Sequence, residues 1–368
     1  MTFSNIKQIV VPEGAVKKIT YNGATLWERI SRYLKTVIGK VVTVTDALNE
    51  PAESLKVTLE PIQSGSGTPS PDNVRPISGH TEVDTHRTGK NLFNPNSTDN
   101  EWVSVSGEIT QGTTTGKSVR VKVSGVSSLT ASMSNEASAT NILLIATFAS
   151  DMTLLSRDVI TSGKTLTKAI PSNAVMAIVS CYAYGYSGNV QLEIGSTATA
   201  YEPYQGNTYT TTLGRTVYGG TLDVVSGELV IDRAMVDLGT LDWTYQSGST
   251  RFYSGGISGT VKAPSSNAST IVALSSIYEY MSLNSLGIST NDHACAVSAT
   301  RNLYVKDTAF TDVIQLKAYL SGQQFCYELA TPQTYQLDPQ TISLLHGNNN
   351  VWSDGSVELT YWGTEQSN

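Results

Sequence analysis

Charge is scarce in this chain. Asp, Glu, Lys and Arg supply 15% of its 368 residues, against about 25% in an average soluble protein. Ser, Thr, Gly and Asn take their places, so the surface is polar but weakly charged. The 24 Lys and Arg residues are scattered and the formal net charge is −7. Nucleic acids and anionic membranes are held by concentrated basic patches, and neither is expected as a partner. Long apolar runs are also missing. Those present, such as 142–146, are about a strand long and far short of the ~20 residues of a membrane helix, so no membrane insertion is expected. Met1 to Gln8 contains neither a basic cluster nor an apolar core, so no secretory signal is expected and synthesis in the cytoplasm is inferred.

Cysteine and histidine are few. Cys181, Cys295 and Cys326 are far apart and form no C-x-x-C pair, which excludes a written disulfide framework or zinc knuckle and predicts buried free thiols. The four histidines, His80, His86, His293 and His346, include no H-E-x-x-H pair, and no metal or other cofactor is expected. His80 and His86 read as solvated residues flanking a strand edge. No Gly-x-Ser-x-Gly elbow occurs, and Gly163-Lys164-Thr165 fails as a phosphate loop because Asp158 stands where the leading glycine belongs. Glycoside cleavage needs only two carboxylates meeting in space, and 31 acidic residues leave it open. Most of them lie singly on polar strand faces or in turns, and the expectation is a protein that is not an enzyme.

What remains is a period of two. Leu55, Val57 and Leu59 alternate with Lys56, Thr58 and Glu60, as a half-exposed strand requires. Similar short runs recur near 6–11, 15–21, 41–45, 102–106, 119–123, 142–148, 153–156, 177–186, 189–193, 208–213, 221–225 and 228–232. Gly, Ser and Asn separate them, Asn22-Gly23 and Ser226-Gly227 reading as hairpin turns. The segment 63–76, with three prolines and two glycines, can be neither helix nor central strand. The predicted fold class is all-β: several antiparallel sandwich or jelly-roll modules, with a small N-terminal β unit and one short helix. That helix is placed where Leu26, Ile30, Leu34, Val37 and Ile38 recur at helical spacing before Gly39. Its stripe, Leu26, Ile30, Leu34 and Val37, is the expected oligomer or anchor contact.

One run suggests binding. In Cys181-Tyr182-Ala183-Tyr184-Gly185-Tyr186, strand alternation puts Tyr182, Tyr184 and Tyr186 on one face. Such a ladder either stacks on sugar rings or fills a core with its hydroxyls at the margin, and general burial tendencies favour the second. Trp102 carries the same two readings.

Several stretches resemble structural proteins of tailed phages and prophages of Gram-positive bacteria. They are Ile9-Val10-Val11-Pro12-Glu13-Gly14-Ala15-Val16-Lys17-Lys18-Ile19 with Leu26-Trp27-Glu28, Pro61 through Ile77 (containing Gly65-Ser66-Gly67-Thr68-Pro69-Ser70-Pro71-Asp72-Asn73), Gly89-Lys90-Asn91-Leu92-Phe93, and Gly347 through Tyr361. Gln191-Leu192-Glu193-Ile194-Gly195 with Ala198 through Tyr204 resembles the last strand of jelly-roll modules similar to carbohydrate-binding modules. The resemblance implies a tail-fibre, baseplate, receptor-binding or head-decorating component of a virion, released by lysis. Implied partners are other virion proteins, further copies of the chain with a trimer favoured, and host cell-surface polysaccharide. A capsid component without a ligand and a glycan-degrading tail enzyme are the alternatives. The implied organisation is an anchoring unit at 1–40, a discontinuous β domain from 41–90, 206–242 and 328–368, a jelly roll at 91–205 and a second inserted module at 243–327.

Overall fold

In the computed structural model, the described residues are 18–21, 24–28, 32–97, 99–111, 116–137, 141–183, 189–249, 251–340, 342 and 345–364. The protein is all-β and built of several antiparallel sheets; among the described strands one pairing is parallel, that of Glu279–Tyr280 with Ala294–Cys295. The expected strand at 6–11 and the Asn22-Gly23 turn lie outside the described residues; Lys18–Tyr21 and Ala24–Glu28 pair antiparallel.

Among the described residues of 26–38 no helix forms. Leu26 lies in the strand Ala24–Glu28, and Leu34 and Val37 lie in Arg32–Glu50, a strand of 19 residues; Ile30 is outside the described residues. The helical spacing coincides with a run rich in β-branched residues, including Thr36, Val37, Ile38, Val41, Val42, Thr43, Val44 and Thr45. Branching at Cβ stiffens χ1 and favours the pleated conformation, and a partner strand is available at Leu345–Thr364. Along the strand, Leu34 and Ile38 are 51% and 73% exposed, while Val37 packs half-buried against the core. The expected stripe is thus split between two faces.

The α-helices among the described residues are elsewhere and short, at Leu283–Leu286 and Val313–Tyr319. Asp312 caps the second, its Oδ1 accepting from the backbone N–H groups of Ile314 (2.6 Å) and Gln315 (3.4 Å).

The largest sheet has nine strands, and strand Leu345–Thr364 organises it. One edge of this strand pairs with Arg32–Glu50 along most of its length. The other edge meets His80–Thr88 through Asn350 to Trp352, then Ser54–Leu59 through Val357 to Thr360. The ribbon therefore passes from one layer to another, and the layers enclose a cluster including Val42, Val44, Leu55, Val57, Leu59, Val83, Leu213, Leu222, Leu229, Val351, Val357, Leu359 and Tyr361. Gly220 lets the layers close up. Its φ is +138°, and a Cβ there would lie 1.8 Å from the Val230 carbonyl oxygen.

A second cluster fills residues 92–194. A sheet of Lys117–Lys122, Met176–Ala183, Asn141–Phe148 and Leu154–Ile160 faces one of Gly163–Ala169, Ser128–Ala137 and Val190–Ile194. Leu143, Ile145, Val179 and Cys181 meet Leu129, Ala131, Leu166 and Leu192 between them. The outer face of the first sheet is apolar as well, with Leu144, Ala146, Phe148 and Ile178 under the hairpin 101–111. Burial on both faces explains why 142–146 reads as an unbroken apolar run.

A third cluster gathers Leu238, Trp243, Phe252, Tyr278, Val297, Val305, Leu316, Phe325 and Tyr327. The segment 63–76 leans on this unit: Gln63 Nε2 donates to the Ser275 carbonyl oxygen at 2.8 Å and the Arg75 backbone N–H to that of Ser276 at 2.6 Å. The Arg75 guanidinium holds the segment together through the carbonyl oxygens of Ser64 (2.9 Å), Gly65 (3.1 Å) and Gly67.

The three cysteines are buried and unpaired. Burial pushes the Cys181 and Cys326 thiols up to about 12, and Cys295 upward as well. The native protein should not react with a disulfide reagent at pH 8 and should release three equivalents in denaturant; rapid native reaction of any thiol would contradict this burial. Gly220→Ala combines the close contact with backbone strain of about 1–3 kcal/mol, and should lower the midpoint of denaturant unfolding.

Candidate functional site

The candidate surface is built on the hairpin of Glu101–Val103 and Ile109–Gln111. Alternation turns Glu101 and Val103 inward and leaves Trp102 half-buried on the other face. Glu101 forms a two-point ion pair with Arg120, whose Nε donates to Oε2 at 2.8 Å while Nη2 donates to Oε1. Ser118 Oγ accepts from the Glu101 N–H at 2.9 Å, and Ser180 Oγ donates to its carbonyl oxygen at 2.7 Å. Gly107, at φ +87°, completes the fit: a Cβ there would come 2.9 Å from Leu154 Cβ.

Trp102 rests on the outer apolar cluster, and the Arg157 guanidinium carbon lies 5.5 Å from its ring centroid. Arg157 Nε donates to the Val103 carbonyl oxygen at 2.7 Å, which fixes the guanidinium over the ring. Val105 at the hairpin tip is 85% exposed, and Met152 on a neighbouring turn, at φ +65°, is 43% exposed. An indole packed on an apolar cluster with a guanidinium over its ring, on a unit that also exposes Val105 and Met152, offers apolar surface and hydrogen-bond donors together.

The tyrosine ladder is not assembled by the described residues. Tyr182 lies in Met176–Ala183, in register with Ile142, and Tyr184 and Tyr186 lie outside the described set. Arg157 was not legible as a partner of Trp102, because their proximity depends on how the hairpin folds over the sheet.

A second polar arrangement marks the seam between the 92–194 unit and the nine-stranded sheet. Trp352 packs against the apolar cluster of that unit and stacks on His86, centroids 5.3 Å apart at 23°. Lys122 Nζ donates to the Ser353 carbonyl oxygen at 3.1 Å and pairs with Asp354. Its bond to Asp354 holds that carboxyl below its ordinary range. His86 is therefore no simple solvated residue: Nδ1 is 3.0 Å from Thr208 Oγ1, and burial lowers its pKa even though Asp84 pulls the other way. His80 Nε2 lies 2.8 Å from the Glu60 carbonyl oxygen. Among the described residues, Asp292, His293 and Asp307 form the group of His and carboxylate side chains close enough to share a metal ion. No regular sequence spacing announces them.

No family model matches the chain, and no curated protein matches it. Among solved structures there is faint similarity to particles of infectious bursal disease virus. The T=1 particle protein is 7% identical with a TM-score of 0.13, covering 91% of this chain and 82% of that one. The protein of the Gx strain is 8% identical with a TM-score of 0.10, covering 97% and 45%. Likeness at this level carries no argument about fold or function.

The lowered His86 pKa gives a pH prediction. A base harder to protonate when folded contributes stability that is present above its unfolded value of about 6.5 and is lost as pH falls toward the folded value. Thermal stability should drop as pH falls below about 6.5, and His86→Phe, which keeps a ring on Trp352, should flatten the drop. An unchanged pH profile would remove His86 as its source.

Proposed function

We propose that this chain is a structural and adhesion component of a tailed-phage particle, not an enzyme, and that it meets host surface polysaccharide through the Trp102 and Arg157 surface. The observation that carries the reading is the pairing of two rigid, complementary groups: an indole held on a fixed hairpin and a guanidinium whose Nε is tied to the backbone beside it. Sugar rings stack on such faces and their hydroxyls accept from guanidinium nitrogens.

In this reading, 91–205 and 243–327 are modules inserted into a body formed by 41–90, 206–242 and 328–368, and the N-terminal segment faces the particle. The chain acts as a homo-oligomer, with a trimer favoured by the phage resemblance. The exposed Leu34 and Ile38 on a long strand support a contact with another copy, since side chains of that size are commonly covered in an assembly. The protein reaches the cell exterior within virions released by lysis.

Light scattering should give a mass about three times the 39.4 kDa of one chain. Purified protein should bind host cell-wall polysaccharide, and Trp102→Ala should weaken binding about tenfold, a loss of one stacked ring at about 1–3 kcal/mol. Equal binding by wild type and Trp102→Ala would sink the proposed surface. Release of new reducing ends from the polysaccharide would sink the non-enzymatic reading.

A further inference from the structure

The strands Ala294–Val297 and Leu303–Lys306 pair with Ala294 opposite Lys306. This register brings His293 and Asp307 side by side where the ladder ends. Asp307 is 1% exposed, and the adjacent Lys306 ammonium is committed to the Ile288 carbonyl oxygen at 2.7 Å. The contacts to the Asp307 carboxylate come from neutral donors: Tyr278 O–H to Oδ2 at 2.8 Å and the Ala309 N–H to Oδ1 at 3.1 Å. A carboxylate this deeply buried is costly unless a cation shares its site.

His293 supplies the third part. Its Nδ1 is 3.5 Å from Asp307 Oδ1, and that nitrogen is buried without a hydrogen-bond partner although the ring is partly exposed. The residue holds a left-handed backbone at φ +49°. Asp292 closes the group, its Oδ1 accepting from the N–H groups of His293 (2.9 Å) and Thr308 (3.0 Å) and its Oδ2 from Thr308 Oγ1. One ligand atom from each of Asp292, His293 and Asp307 lies within 4.8 Å of the others. Two atoms each about 2.1 Å from a tetrahedral ion stand about 3.4 Å apart, which matches the separation of Nδ1 and Oδ1. That gap is too long for a direct hydrogen bond.

We propose that Asp292, His293 and Asp307 form a structural site for a first-row transition ion of the zinc type. One nitrogen and two carboxylates suit such an ion better than calcium or magnesium, which take oxygen sets. Two negative charges and a neutral imidazole balance a divalent ion, and the exposed side of His293 leaves a fourth position for water. Tyr278 holds the Asp307 oxygen Oδ2 as an outer partner; burial, then the Asp307 charge, keeps its hydroxyl protonated. The ion ties the turn before Ala294–Val297 to the segment leading into Val313–Tyr319, and so braces the rim of this unit. No part of this rests on the glycan reading.

The test uses the full chain, stripped with chelator and titrated calorimetrically with zinc chloride. One equivalent should bind saturably and raise the thermal midpoint, and calcium chloride should do neither. His293→Asn keeps a residue that tolerates the left-handed backbone and should abolish the one-equivalent binding, while its unfolding curve in chelator overlays that of wild type. Tyr278→Phe should retain the stoichiometry with affinity reduced about 10–100-fold. If His293→Asn fails to fold, Asp292→Asn should show the same loss of zinc binding. No saturable zinc binding, a calcium preference, or binding unchanged in whichever of these two ligand variants folds would overturn the site.

Discussion

The pairing of Arg32–Glu50 with Leu345–Thr364 is the constraint on which the rest of the molecule depends. Neither strand could bury its apolar face alone, and a two-stranded ribbon is marginal in water. Here the ribbon closes the sheet that encloses Val42, Val44, Val351, Val357 and Leu359. Its side-chain rungs reach across the chain, as in the 3.0 Å bond from Thr43 Oγ1 to Asn350 Oδ1 and the 2.9 Å contact of Thr36 Oγ1 with Thr360 Oγ1. Among the described residues no strand covers the outer edge of Arg32–Glu50, so one side of the ribbon serves the core while the other is an edge.

Once Arg32–Glu50 and Leu345–Thr364 hold each other, long excursions between the strands they join are cheap. Loop-closure entropy grows only with the logarithm of length, about 0.6 kcal/mol per doubling. The excursions carry their own cores around Leu143 and Val179 and around Tyr278 and Phe325. The 92–194 unit is tied to the body through Trp352, His86 and Lys122. The unit around Tyr278 and Phe325 instead shares the nine-stranded sheet itself, Ala273–Ser275 pairing with Gln324–Gln336 and that strand with Glu228–Asp237, and is met by Gln63 and Arg75 at Ser275 and Ser276. Binding chemistry can accordingly sit on outer hairpins such as 101–111 without touching what holds the body together.

The strand content was legible because it rests on a local pattern. Leu55, Val57 and Leu59 are buried and Lys56 exposed, as their alternation implied. The segment 26–38 misled because apolar residues at helical spacing also fit a strand, and its β-branched residues were the better signal. The helix at Val313–Tyr319 was overlooked although Asp312 and Gln315 stand in the positions of a capping pair; its β-branched start, Val313-Ile314, hid it. Strands Ser128–Ala137 and Gly163–Ala169 are dominated by Ser, Thr, Ala and Lys, too polar to stand out from loops. Trp102 could be singled out by type, but its pairing with Arg157, like the approach of His293 to Asp307, is a product of register and packing between segments that no one-dimensional spacing records.

Native-state hydrogen exchange tests the central claim most directly. If the pairing of Arg32–Glu50 with Leu345–Thr364 holds the body together, amides of Leu55–Leu59, Leu222, Leu229–Ile231 and Val357–Tyr361 will exchange with one common free energy under mildly denaturing conditions. Exchange of Val357–Tyr361 well before the other segments, which would leave the sheet protected without its last strand, would contradict the account.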